Sequence, residues 1–420
     1  MATFSTRRTE IASVPVVELA RQFGTPTFVY DADKINQRLD DLAAFDHVRY
    51  AQKACSNLAI VDLIRRGGAI VDSVSAMEIR RALAAGYSPE GSPPPPIVYT
   101  ADIFDAEALD LVVEKNIHVN CGSPDMIDQL GSRTSNRDIT LRLNPGFGHG
   151  YSQKTNTGGP QSKHGIWHEQ LSDCMERAKR NGLNVVGLHM HIGSGTDLKH
   201  LSQVCGAMEK AAIVAGNSIH TISAGGGLPI PYKKDEEPID LAKYFSLWDA
   251  TRKRLQERFG HDVSLEIEPG RYLTAESGYL VAEIRAIKQQ GENTFYLVDA
   301  GFNNLARPIL YGAYHPISIA HIHDNADRGE LDVIVGGPLC ESGDIFTQEE
   351  GGYVVSRRLP KATVGDLLVI ECVGAYGSVM GSNYNSKLMA AEALIRGGSV
   401  HEIRRRQTFE DLIRNESIPD

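Results

Sequence analysis

Eight short apolar runs, most of them followed by a helix-like stretch, constrain this chain more than anything else in it. They are Val48 to Ala51, Ala69 to Val74, Ile97 to Thr100, Ile117 to Asn120, Ile139 to Leu143, Val185 to His191, His220 to Ala224 and Val263 to Ile267. Segments such as Ala76 to Ala85 and Ser202 to Ala215 read as the intervening helices. Eight βα units predict a (β/α)8 barrel, an α/β architecture. A ninth strand signal, Thr27 to Tyr30, precedes the first of them. Beyond residue 280 the pattern changes to strands and glycine-rich turns: Tyr279 to Ile287, Thr294 to Asp299, Leu331 to Val335, Tyr353 to Arg357 and Leu367 to Glu371. That pattern predicts a second, all-β domain, and 420 residues suit two domains better than one core. The run Pro93 to Pro96 reads as a stiff connector inside the barrel.

Composition narrows the function. A net charge of −10 argues against nucleic acid as a partner, since such binding draws on basic side chains. The polar stretch Met1 to Glu10 has no apolar core of a secretory signal, and no apolar run is long enough to span a membrane. The six cysteines are scattered with no C-x-x-C pair, which predicts reduced thiols and a cytoplasmic location. Arg404 to Arg406 reads as a solvated face ahead of a helix opening at Thr408.

The unusual residues fall where a barrel builds its active site. Lys53, Asp72, Asn120, Asn144, His191, Gly225 to Gly227 and Glu268 all sit at or just past the C-terminal ends of the expected strands. Lys53 follows Val48-Arg49-Tyr50-Ala51-Gln52, among small and apolar neighbours. Desolvation there favours a neutral amine, which can form a Schiff base with a carbonyl such as the aldehyde of pyridoxal 5′-phosphate. Three successive glycines after the seventh strand suit an anion, or simply a tight turn. Glu268-Pro269-Gly270-Arg271 offers a carboxylate for a pyridinium nitrogen and a guanidinium for an anion, or a structural ion pair. His189 and His191 alternate onto one face; a metal pair, a ring laid on an aromatic cofactor and two hydrogen-bonded core residues are all open. No matching set of ligands at the other strand ends supports a metal. In Cys340-Glu341-Ser342-Gly343-Asp344 the thiol is either a general acid or an incidental buried cysteine. Arg307 and Tyr311 could clamp a carboxylate, or stand in a surface turn.

Together these motifs resemble the fold-type III pyridoxal-phosphate decarboxylases, and within them the branch acting on diaminopimelate. The resemblance runs from Phe23 to Arg405. It is carried by Ala51-Gln52-Lys53-Ala54-Cys55, His189-Met190-His191-Ile192-Gly193-Ser194, Gly225-Gly226-Gly227, Glu268-Pro269-Gly270-Arg271, Arg307-Pro308, Cys340-Glu341-Ser342-Gly343-Asp344 and Gly374-Ala375-Tyr376-Gly377, in the family's order. It implies a barrel over 34–278, and a β domain made of 1–33 together with 279–420 that contributes substrate and dimer contacts. It implies Lys53 as the Schiff-base lysine with Asp72 near it, His191 on the pyridine ring and Glu268 on its nitrogen. Ser194, Gly227, Gly270, Arg271 and Tyr376 would hold the phosphate. Arg271, Arg307, Tyr311, Glu341 and Tyr376 would meet the amino-acid substrate. Cys340, as proton donor, and Glu341 would come from the neighbouring subunit of a homodimer. The implied reaction is decarboxylation of meso-2,6-diaminopimelate at its D-centre to L-lysine and carbon dioxide.

One departure stands out. Ser162-Lys163-His164-Gly165 lies where many relatives have phenylalanine in place of the histidine, after a polar loop from Gly146 to Gly159 that could cover the site. Decarboxylases of ornithine, arginine or carboxynorspermidine are the nearest rivals. Arg307 would repel the distal cation of such substrates.

Overall fold

The computed structural model describes residues 4–89, 93–148, 156–193, 198–323 and 328–419. Two compact units emerge, one of residues 36–229 with 239–273 and one of residues 1–35, 230–238 and 274–420.

In the first unit all eight expected strands form: His47–Ala51, Ile70–Ser73, Ile97–Ala101, His118–Cys121, Arg137–Asn144, Leu183–Met190, Thr221–Ser223 and Ser264–Ile267. Each pairs in parallel with the next. The eighth returns to the first through Glu266↔His47 and Ile267↔Val48, which closes the barrel. A helix follows every strand: Leu58–Arg66, Ala76–Ala84, Ala106–Glu114, Pro124–Gly131, Leu171–Arg180, Leu198–Ala215, Leu241–Phe259 and the short Arg271–Thr274. Local chemistry sets their starts. Ser75 accepts from the Glu78 amide at 3.2 Å, while the Glu78 carboxylate accepts from Val74 N at 2.8 Å. Val71, Val119, Leu141, Leu188, Ile222, Leu265 and Ile267 are fully buried, each contributing about 1.5–3 kcal/mol of transfer free energy.

The second unit is built on the 13-residue strand Gly278–Gln290. On one side it pairs antiparallel with Thr27–Asp31, which pairs in parallel with Ala391–Arg396. It also pairs with Leu367–Glu371 on the other side and, further along, with Asn293–Val298. The surplus ninth strand therefore belongs to this sheet. Two expectations fail here. The strand expected at Tyr353 to Arg357 lies at Arg357–Pro360, because Tyr353 and Val354 stand on an exposed turn closed by a single Gln348↔Val354 bridge. Arg404 to Arg406 are not simply solvated. Arg404 pairs with buried Glu392 at 2.8 Å, and Arg406 Nη2 donates to the carbonyls of Phe23 and Pro26 and to Thr27 Oγ1. Those carbonyls precede the strand Thr27–Asp31 and need a donor that the sheet does not supply. The helix after Thr408 forms as Phe409–Ile413, with a capping box from Asp411.

Candidate active site

The C-terminal ends of the barrel strands gather a set of ionisable groups. Lys53 lies in the turn Gln52–Ala54, directly after the first strand. Gln52 and Ala54 are buried, but the lysine side chain is exposed, which does not match the expected desolvation. The charge of Lys53 is nonetheless felt by Asp72, Glu78 and His191. Asp72, at the end of the second strand, is 3% exposed, and its Oδ1 has no partner. Burial, then the charge of Glu268, push its carboxyl well above the usual range.

Glu268 follows the eighth strand and is also buried. Its Oε2 lies 2.7 Å from His189 Nε2, and its Oε1 accepts from Ser223 Oγ at 3.2 Å. Burial alone would raise this carboxyl; the His189 charge and hydrogen bond, with Arg49 and His191, outweigh burial and hold it below the usual range. Two buried carboxyls are thus driven apart, Glu268 ionised and Asp72 inclined to keep its proton. His191 follows the sixth strand, which ends one residue short of the expected His191. Burial, then the positive charges of Arg142 and Lys53, keep its ring neutral, and its Nδ1 is buried without a partner.

Glycines let these strand ends approach one another. Gly225 has φ +62°, and a Cβ there would lie 2.5 Å from Met190 O and 2.8 Å from the His191 Cβ. At Gly270 a Cβ would meet the Ala54 Cβ at 3.0 Å, so the loop after the eighth strand lies against the Lys53 turn. The Ala51 amide donates to Pro269 O across the same contact at 3.1 Å. Arg271, 9% exposed, opens the short helix that follows. Gly227 has φ +98°. Ser194 and residues 149–155 of the Gly146–Gly159 loop lie outside the described residues. Of that loop's described flank, Thr157 Oγ1 donates to His191 O at 2.9 Å.

In the β unit, Arg307 opens the helix Arg307–Tyr311 and is 7% exposed, so the surface-turn reading fails. Its Nη1 donates to Tyr232 OH at 3.2 Å and to His315 Nε2 at 2.9 Å. Because a guanidinium only donates, His315 Nε2 is bare, and its Nδ1–H points to Glu371 O at 3.0 Å. Tyr311 is half-buried at the helix end. Cys340 and Glu341 are exposed, which removes the buried-cysteine reading. Their turn is held by buried Asp344, which accepts from Leu339 N at 2.8 Å and Phe302 N at 2.7 Å. Tyr376 takes φ +57°, a backbone region costing a non-glycine residue about 1–2 kcal/mol.

Comparison with known proteins places this geometry. Residues 32–275 match the family model described as "Pyridoxal-dependent decarboxylase, pyridoxal binding domain". A diaminopimelate decarboxylase of Escherichia coli K12 is 50% identical over 407 residues, covering 96% of this chain and 97% of that protein. The chain belongs to the diaminopimelate decarboxylase family. The family's enzyme from Streptomyces coelicolor is 52% identical, over 95% of this chain and 91% of its own length. A crystal structure of a diaminopimelate decarboxylase, 51% identical, superposes with a TM-score of 0.92 over 96% of each chain.

Several residues of this family member carried no signal in the sequence. Arg49 and Glu266 form a buried ion pair, Nη2 to Oε1 2.8 Å, between the first and eighth strands. Asp102, just past the third strand, accepts from the Gly165 amide at 2.9 Å and binds His164 Nδ1 at 2.6 Å. Tyr232 and His315 frame Arg307. Each pairing joins residues far apart in sequence, so no local pattern announces it. Only the departure at His164 could have prompted a search for its carboxylate. Among the described residues no cluster of His, Cys, Asp or Glu is arranged to hold a metal ion.

Proposed function

We propose that this chain decarboxylates meso-2,6-diaminopimelate at its D-centre to L-lysine and carbon dioxide, using pyridoxal 5′-phosphate. The near-half identity to diaminopimelate decarboxylases over almost the whole chain carries the reading. The strand-end cluster fits that cofactor: an ionised buried carboxylate, a lysine amine, a neutral histidine with an unpartnered nitrogen and a glycine turn stand in one unit. When bound, the cofactor supplies an electron sink for the bond that breaks.

On this reading Lys53 holds the aldehyde, with Asp72 supporting it. His191 lies against the ring and Glu268 pairs with its nitrogen. Ser194, Gly227, Gly270, Arg271 and Tyr376 hold the phosphate. Arg307 and Tyr311 take the distal carboxylate, with Arg271, Glu341 and Tyr376 also at the substrate. Cys340 donates a proton to the reacting carbon as general acid. Its exposure in the single chain supports a homodimer in which Cys340 and Glu341 serve the partner's site. A buried guanidinium at Arg307 disfavours substrates with a distal cation. Among the described residues no helix is long and apolar enough to cross a membrane, and the scattered free cysteines support a cytoplasmic location.

Purified protein loaded with pyridoxal 5′-phosphate should form L-lysine and carbon dioxide from meso-diaminopimelate in equal amounts. Borohydride should fix the cofactor on Lys53, and Lys53→Ala should lose both label and turnover while keeping its circular dichroism. Label on a different lysine would move the covalent role elsewhere. Turnover of ornithine or arginine in preference to meso-diaminopimelate would replace the substrate.

A further inference from the structure

His189 has no part in the reading above, yet it makes the shortest polar contact to Glu268. It is 1% exposed at the end of the sixth strand, with Nε2 2.7 Å from Glu268 Oε2. Glu268 is the ionised member of the two buried carboxyls, so the proton of this contact sits on Nε2. The other ring nitrogen, His189 Nδ1, is buried without a protein partner.

A cavity of about 990 Å³ enters the barrel from the strand starts at His47, Asp138 and Ser264 and reaches Asn120, His189 and Glu268. Barrels of this kind are ordinarily filled by layers of branched aliphatic side chains. Here Arg49, His118, Thr140 and Glu266 line the space. Asn120 Oδ1, like His189 Nδ1, is buried without a protein partner.

We propose that His189 is the positioning residue for Glu268, directing the negative charge of the buried carboxylate pair onto Glu268 and aiming it at the cofactor's ring nitrogen. The proposal rests on the reading that Glu268 meets that nitrogen. The physical reason is competition. Asp72 and Glu268 interact in one buried site, and both cannot ionise cheaply. Lys53 favours charge on Asp72, whereas His189, Ser223 and Arg49 favour it on Glu268. His191 adds to the second side. Removing the His189 donor lets the proton move to Glu268, and a neutral carboxyl no longer holds a protonated ring.

The test uses holoenzyme reconstituted with pyridoxal 5′-phosphate carrying nitrogen-15 in the ring. The ring shift reports protonation directly. In wild type the ring nitrogen should stay protonated through neutral pH. In His189→Leu its titration midpoint should fall by about one pH unit or more. There kcat should drop about tenfold or more while KM moves less than about threefold. His189→Gln keeps an N–H donor and should restore most of both. If His189→Leu does not fold, His189→Asn takes its place, since its amide is too short to reach Glu268. A wild-type ring shift and kcat in the Leu or Asn variant would overturn the proposal. Glu268→Gln separates the two readings. An unchanged ring shift there would mean that Glu268 does not meet the nitrogen at all.

Discussion

On the proposed reading the guanidinium of Arg307 meets the distal carboxylate of the substrate. It is buried, and it donates to the Tyr232 phenol and the His315 imidazole. Arg307→Ala should therefore cost meso-diaminopimelate a charge-assisted contact of about 1.5–3 kcal/mol, or roughly tenfold to more than a hundredfold in kcat/KM. Lysine and ornithine, which lack the second carboxylate, should lose far less. Carbon dioxide release from each substrate measures the difference, and equal losses would end the distal-carboxylate role. A second residue-scale expectation concerns Asp102. Burial raises its carboxyl, but His164, the Gly165 amide and Arg142 together hold it below the usual range. A folded pKa below the unfolded value gives stability that is present above about 3.9 and is lost as pH falls through the folded value. The melting temperature of wild type should exceed that of Asp102→Asn at neutral pH, and the gap should close under acid. A gap indifferent to pH would mean that the charge of Asp102 plays no part. At this scale the sequence was legible where chemistry follows a strand end, as at Lys53 and Glu268. It was silent where one side chain depends on another, as Arg307 depends on His315.

The strands were legible because barrel strands are short apolar runs, and all eight appear within a few residues of their expected bounds. Tyr353 to Arg357 misled because an aromatic and two valines imitate a strand while lying on an exposed turn. The closing seam between the eighth and first strands was invisible, since only two register pairs join them. Arg49 and Glu266 bridge that seam with side chains 2% and 9% exposed, and Arg49 also donates to Pro95 O at 2.9 Å. Arg49→Met should destabilise the barrel by about 3–5 kcal/mol, because Glu266 is left charged and buried. Adding Glu266→Leu should return most of that loss. Denaturant unfolding of the single and double variants measures both. A double variant as unstable as the single would show that the cost is packing and not the unpaired charge.

Across the whole molecule, the exposed Cys340 turn makes assembly part of the proposed chemistry. Lys53→Ala and Cys340→Ala proteins, each inactive alone, should regain part of the wild-type activity once their subunits are exchanged. Verified heterodimers without activity would mean that one chain builds each site. The second unit was legible only in outline, because its sheet is assembled from distant stretches. Thr27–Asp31 lies between Gly278–Gln290 and Ala391–Arg396, so an early strand takes both its neighbours from the far half of the chain. On the ribosome that strand emerges early and waits through synthesis of the entire barrel before either neighbour exists. Until then its two edges are open to any other extended chain. A nascent polypeptide stalled near residue 270 would thus expose a sticky ribbon beside a barrel whose strands are all made, and chaperone demand should peak there and fall once the last strands are translated.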